Sequence, residues 1–214
     1  MQKYISEFIG TFILLVSIVG SGIAGQQYTN DQMVILVSHA VVIGLTLIFI
    51  IGIFANFSGA HFNPIVSILF FLQKELSVKD LCLYISIQIT AAILGTIFAN
   101  YIFGLSIVEI SSNIRSGTNI YISEIFASFG LLMVILLSKV GGKNIVAFNV
   151  GIYITAAIIF TSSASFANPA VSIARIFTES FAGINPSTVI FFIGSQAIGM
   201  FGAYFLYNYL FKTK

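Results

Sequence analysis

The chain has 214 residues, 58% hydrophobic and only 7% charged, with a net charge of +2 and a mean hydropathy of +1.04. A soluble domain of this size cannot hide so much apolar surface, which excludes a water-soluble enzyme or binding module. No basic stripe marks a nucleic-acid partner, and the single cysteine, Cys82, forms neither an internal disulfide nor a multi-cysteine metal site.

Apolar runs between charges and turn residues predict six membrane-crossing helices, over 4–24, 33–55, 79–103, 119–139, 143–163 and 186–211. The first run starts where a signal peptide would. It carries Glu7, and its length of about 20 residues exceeds an apolar signal core, so it is read as a retained span. Two shorter apolar segments, 63–72 and 168–178, are half of what a crossing needs. Each begins at an Asn-Pro pair, Asn63-Pro64-Ile65 and Asn168-Pro169-Ala170.

Placing the N-terminus inside puts Lys3, Lys74, Lys79, Lys139, Lys143, Lys212 and Lys214 on the cytoplasmic side, seven of the nine basic residues. Only Arg115 and Arg175 fall elsewhere, and both termini are then cytoplasmic. The chain also repeats itself. "YISEFIGTFILLVSIVG" at Tyr4 matches "YISEIFASFGLLMVILL" at Tyr121, "FNPIVSI" matches "ANPAVSI", and "QITAAILGTIFAN" at Gln88 matches "QAIGMFGAYFLYN" at Gln196. One domain over 1–214 thus divides into repeats 1–104 and 119–214, each reading span, span, half-helix, span. Three spans per repeat is an odd number, so the second repeat enters from the opposite side, and interrupted segments in corresponding positions point to a site at mid-membrane.

Non-helical backbone cannot face lipid; it must be buried in protein or line water. Pro64 and Pro169 suit the first turn of a helix, and Asn63 and Asn168 suit the cap before it. Each pair therefore starts a re-entrant half-helix. Inverted symmetry brings the two starts tip to tip, where two positive helix ends and two amides converge. A neutral hydroxylic solute accepts hydrogen bonds there, whereas a cation is repelled and a water wire is oriented against proton hopping.

Two such motifs, one per half of a six-span inverted repeat, resemble the major intrinsic protein family, the aquaporins and glycerol facilitators. The resemblance covers almost the whole chain. It implies an all-α membrane protein with six transmembrane helices and two re-entrant half-helices. It also implies a homotetramer with one pore per subunit, embedded in a lipid bilayer and passing water or small neutral solutes passively. No enzyme activity, cofactor, metal or nucleic acid is implied.

The chain departs from that family's pattern in two places. Ile65 stands where the first motif usually has alanine. Val171 stands three residues after the second motif's Asn168, where members commonly carry a filter arginine. The simpler reading of Arg175 is a cation at the half-helix C-terminus that pairs with Glu179; the alternative is that it reaches the filter from i+4 on the same face. Counting from the motifs gives the remaining filter positions as Ile43, Ser165 and, by an ungapped count, Ala156, with a slip to Ile154 or Ile158 left open. A filter of Ile43, Ala156, Ser165 and Val171 has no cation and no aromatic. It resembles an arginine-lacking bacterial subgroup, some of whose members accompany arsenic-resistance genes. The implied solutes are polyols or metalloid hydroxides such as arsenous acid, and the implied location is a bacterial inner membrane.

Glu7 and Glu124 occupy equivalent repeat positions within spans. Intramembrane carboxylates suggest function, and the rival to a channel is an ion-coupled secondary transporter that uses them. The resemblance implies instead that each supports the re-entrant loop of its own half. It likewise implies that Gly59, Ala60 and His61, with Ala164, Ser165 and Phe166 opposite, line the pore with carbonyls. His61 also reads as a tie to a neighbouring helix. His39, one turn outward of Ile43, reads as a packed, hydrogen-bonded side chain or as part of the outer mouth. Gln88 and Gln196 read as interhelical glue, and Gly10, Gly44, Gly95, Gly151 and Gly202 as sites of close helix crossing. No Ser/Lys, paired Asp or His-rich zinc arrangement supports an intramembrane enzyme.

Overall fold

The computed structural model describes residues 1–211, and every regular element among them is helical. Lys212 and Lys214, counted above for orientation, lie outside them. Six long helices, α1 (Gln2–Tyr28), α2 (Gln32–Phe54), α4 (Val78–Ile102), α5 (Thr118–Ser138), α6 (Lys143–Phe160) and α8 (Pro186–Leu210), are long and apolar enough to cross a bilayer. Two short ones complete the set, α3 (Pro64–Leu72) and α7 (Pro169–Ala174). The second half-helix is shorter than the sequence pattern predicts, because the chain tightens into a 3₁₀ turn over Arg175–Phe177. The fifth span also stops early, at Phe160, because Thr161 is extended and leads the chain back inward. The side bearing the connection between α4 and α5 is called outer below, after the charge pattern.

The three prolines of the chain all stand at the first position of a helix behind an asparagine cap: Pro64 in α3, Pro169 in α7 and Pro186 in α8. Proline's missing N–H costs nothing there, and the asparagine satisfies a donor that the helix leaves free.

The two halves pack alike: α1 lies against α4 and α5 against α8, while α2 and α6 cross at the centre. Glycine permits these crossings. A Cβ on Gly151 would lie 2.5 Å from the Gly44 carbonyl oxygen, and one on Gly44 would strike Thr155. A Cβ on Gly95 would lie 2.6 Å from the Phe12 carbonyl, and one on Gly199 2.5 Å from that of Ile125. Small residues let backbones approach where lipid supplies no hydrophobic drive between helices. Gly202 is not such a site: a Cβ there meets only the Phe129 ring, at an ordinary 3.4 Å. Gly199, one turn earlier, takes that place.

Candidate functional site

Two loops, 55–63 and 161–168, turn into the middle of the protein and end at the asparagine caps. Both carry the same backbone sequence of left-handed residues. Counting back from each asparagine, the fourth, third and first residues have positive φ: Gly59 (86°), Ala60 (52°) and Phe62 (49°), and Ala164 (57°), Ser165 (45°) and Ala167 (45°). Five of these six are not glycine, so the loops must be held in place. The fifth residue back is serine in both, and its hydroxyl accepts from the third residue's N–H: Ala60 to Ser58 at 3.0 Å, Ser165 to Ser163 at 3.2 Å.

A buried carboxylate completes each bracket. Glu7 and Glu124 are both 0% exposed. Glu7 accepts from the N–H groups of His61 (2.9 Å) and Phe62 (2.8 Å) and from Gln88 Nε2 (2.8 Å). Glu124 accepts from Phe166 (3.2 Å), Ala167 (2.6 Å) and Gln196 Nε2 (2.7 Å). Consecutive N–H groups in such a turn form a concavity suited to an anion. With its N–H groups turned to the carboxylate, each loop can expose carbonyls on its other side. The glutamines also donate onward, Gln88 to Ser67 Oγ and Gln196 to Ser172 Oγ, each at 3.0 Å, which ties each loop to its half-helix.

The tips meet through the asparagines. Asn63 Oδ1 caps Ile65 N at 3.0 Å while its Nδ2 donates to Ala167 O at 2.7 Å. Asn168 Oδ1 caps Ala170 N at 2.9 Å while its Nδ2 donates to Phe62 O at 2.9 Å. Each amide nitrogen carries two hydrogens, and each places one on the opposite loop. The other remains for whatever fills the space beside it.

That space is a cavity of ≈ 470 Å³, lined from Asn56, Glu75, Lys139 and Lys143 at one end to His39, Ile158 and Arg175 at the other. Asn63 and Asn168 line it midway, with Gly59, Ala60, His61, Ala164, Ser165 and Phe166 contributing from the loops. Pro64, Ile65, Pro169 and Ala170 are buried behind the tips and do not line it. Ile43 and Val171 line it, but Ala156 does not: it is exposed on the opposite face of α6, and Ile154 and Ile158 face the cavity instead. The ungapped count to Ala156 fails by half a helical turn, because a helix presents the same face only every three or four residues. His61 both lines the cavity and ties the loop down, with Nδ1 3.0 Å from Ser67 Oγ and its ring stacked 4.6 Å from Phe70.

Arg175 is not paired with Glu179. The Glu179 carboxylate accepts instead from Ser112 N (2.6 Å) and Ser112 Oγ (2.5 Å). The 3₁₀ turn carries Arg175 back over the loop. Its guanidinium carbon sits 3.6 Å from the Phe166 ring centroid, and its Nε donates to the Ala182 carbonyl.

The family model described as major intrinsic protein matches residues 1–162. This chain belongs to the major intrinsic protein family. The aquaglyceroporin AqpS of Rhizobium meliloti (strain 1021) is 38% identical over 209 residues, spanning 98% of this chain and 90% of the relative. Aquaporin NIP1-1 of Arabidopsis thaliana is 30% identical over 144 residues, 63% of this chain and 48% of that one. The X-ray structure of the aquaglyceroporin from Plasmodium falciparum has the same fold, with a TM-score of 0.72 at 22% identity over 98% of this chain and 96% of that chain. As a major intrinsic protein, the chain is an integral multi-pass membrane channel for water and small neutral solutes, in a family of passive channels rather than enzymes.

Some residues at the site of this major intrinsic protein carry no signal in the motif reading. Ser58 and Ser163 could have been found, since both stand five before a motif asparagine. Arg115 could not: it reaches the site from the connection before α5, through carbonyls of 181 and 183 that only the folded chain brings near.

Proposed function

We propose that this channel has a widened constriction at Ile43, Ile154, Ser165 and Val171, and passes glycerol-like polyols or metalloid hydroxides such as arsenous acid as well as water. One observation carries the reading: Val171 sits on the cavity wall three residues beyond Asn168, and neither it nor Ile43 or Ile154 brings a charge. Valine supplies neither the bulk nor the five donors of an arginine. Asn63 and Asn168 serve as central donors, and the carbonyls of the two loops as acceptors. Ions are rejected where the two half-helices start, because their positive ends face each other. Glu7 and Glu124 are loop supports. Each accepts from three N–H donors and neither lines the cavity, which favours a channel over an ion-coupled transporter. The working unit is a homotetramer in a bacterial inner membrane with cytoplasmic termini. Its exposed apolar faces, such as Val41, Leu45 and Phe49 on α2, are suited to lipid or a neighbouring subunit.

The test is Val171→Arg in proteoliposomes. Glycerol flux should fall by about tenfold or more, equivalent to a barrier about 1.4 kcal/mol higher, with a much smaller loss of water flux. Equal losses for both solutes would contradict a constriction at Val171.

A further inference from the structure

The ring at Ile43, Ile154 and Val171 has a counterpart one helical turn further out. His39 precedes Ile43 by four residues on α2, Ile158 follows Ile154 by four on α6, and Arg175 follows Val171 by four beyond α7. α2 runs inward while α6 and α7 run outward, so every one of these steps leads toward the outer face, by about 6 Å along a helix. His39, Ile158 and Arg175 all line the cavity.

The segment 181–183 fixes this outer ring. Arg175 Nε donates to the carbonyl of Ala182. The carbonyls on either side take Arg115, Phe181 O from Nη2 at 2.8 Å and Gly183 O from Nε at 3.0 Å. Both guanidinium groups lie over the Phe166 ring, Arg175 at 3.6 Å and Arg115 at 5.4 Å. The Phe181 ring meets His39 edge-on at 5.6 Å, and Phe181 N donates to Gln26 Oε1 at 2.7 Å. One tripeptide therefore positions two arginines and a histidine.

The groups left over are complementary. Arg175 is 4% exposed, and its terminal nitrogens donate to none of the described residues. Ser21 Oγ lies 2.6 Å from Ser17 O and 3.2 Å from Ile18 O, and its one hydrogen is assigned to these carbonyls. The 2.8 Å contact between Ser21 Oγ and His39 Nδ1 then has the ring N–H as donor. His39 Nε2 is left as a bare acceptor without a partner among the described residues. The Ser165 hydroxyl, on the loop 161–168 that lines the same cavity, is buried and also without a partner among the described residues.

We propose that His39 and Arg175 form a second, displaced selectivity ring. In it the Arg175 fork donates to a solute hydroxyl and His39 Nε2 accepts that hydroxyl's proton. The proposal deepens the channel reading above and rests on it. It assigns two specificity-determining residues beyond the constriction at Val171. A hydroxyl can satisfy both sides at once. A cation meets the Arg175 guanidinium at the cavity wall.

The experiment uses the purified full-length channel in proteoliposomes and measures glycerol, xylitol, water and sodium flux. Arg175→Leu should raise xylitol flux relative to glycerol, and sodium leak, by about tenfold each. Arg175→Lys should restore sodium exclusion while leaving the xylitol ratio high, because it keeps the charge and loses the fork. His39→Phe keeps a ring against Phe181, removes the acceptor, and should lower the glycerol-to-water ratio severalfold. Unchanged ratios in folded Arg175→Leu and His39→Phe would overturn the outer ring; if Arg175→Leu does not fold, an unchanged ratio in His39→Phe is sufficient to do so. Absence of glycerol flux in the wild type would strike the wide-channel reading instead, and the sodium leak of the Arg175 variants would still decide the ring.

Discussion

Replacing Glu124 by glutamine should destabilise the channel by an amount that follows from its three hydrogen bonds. Oε1 accepts from Ala167 N at 2.6 Å and from Gln196 Nε2 at 2.7 Å, and Oε2 accepts from Phe166 N at 3.2 Å. In Glu124→Gln the amide oxygen takes the doubly bonded place. The new NH2 then faces the Phe166 N–H, donor against donor. A buried donor without a partner costs about 1–3 kcal/mol, and the two surviving bonds fall from charge-assisted to neutral, a loss of roughly 1 kcal/mol each. The sum is about 3–5 kcal/mol. Glu7 makes the same three bonds in the other half, so Glu7→Gln should cost a similar amount. Unfolding of each variant in mixed detergent–SDS micelles, extrapolated to zero SDS, measures it. A loss below about 0.5 kcal/mol, the range of an ordinary surface substitution, would refute the loop-support role. Unchanged stability together with abolished proton-gradient-driven flux would favour a coupled transporter.

Asn63→Asp or Asn168→Asp puts a carboxylate where two helix N-termini meet, and cation leak in proteoliposomes should rise about tenfold or more in either variant. Cys82 is exposed on α4 and is not among the cavity-lining residues, so mercurial reagents should leave water flux unchanged, and Cys82→Ser should behave like the wild type. Hydrogen bonds from Ser112 hold the Glu179 carboxyl below the usual carboxylate range. A depressed folded value stabilises the outer loop above the unfolded pKa of about 4.3 and loses that contribution as pH falls through the folded value. Exchange of the Ser112 amide, taken as a ratio to that in Glu179→Gln, should therefore show protection at neutral pH that disappears in acid.

The fold was legible because its signals are local. Six apolar runs, two half-length runs behind Asn-Pro, and a repeat pairing Glu7 with Glu124 require only the periods of a helix and the thickness of a bilayer. The half-helix starts were legible for the same reason, since a cap and a proline act within one turn. What failed depended on where a helix ends. Arg175 and Glu179 stand at i and i+4, which pairs side chains only while the chain stays helical; α7 stops at Ala174, and the two side chains part. Ala156 was reached by counting back across a loop whose length sequence alone does not reveal, and half a turn of error moves a residue from the cavity to the outside. Arg175 at the filter and His39 at the outer mouth were legible only as alternatives, because the brace that positions them, the carbonyls of 181–183, is backbone and carries no residue signature.

The central claim is a passive channel with a constriction wide enough for polyols. Stopped-flow measurement of water and glycerol entry into proteoliposomes containing the wild-type chain tests it most directly. Both should enter with a weak temperature dependence and without response to an imposed proton or sodium gradient. Water entry with glycerol excluded would contradict the wide constriction, and entry that requires an ion gradient would contradict the channel itself.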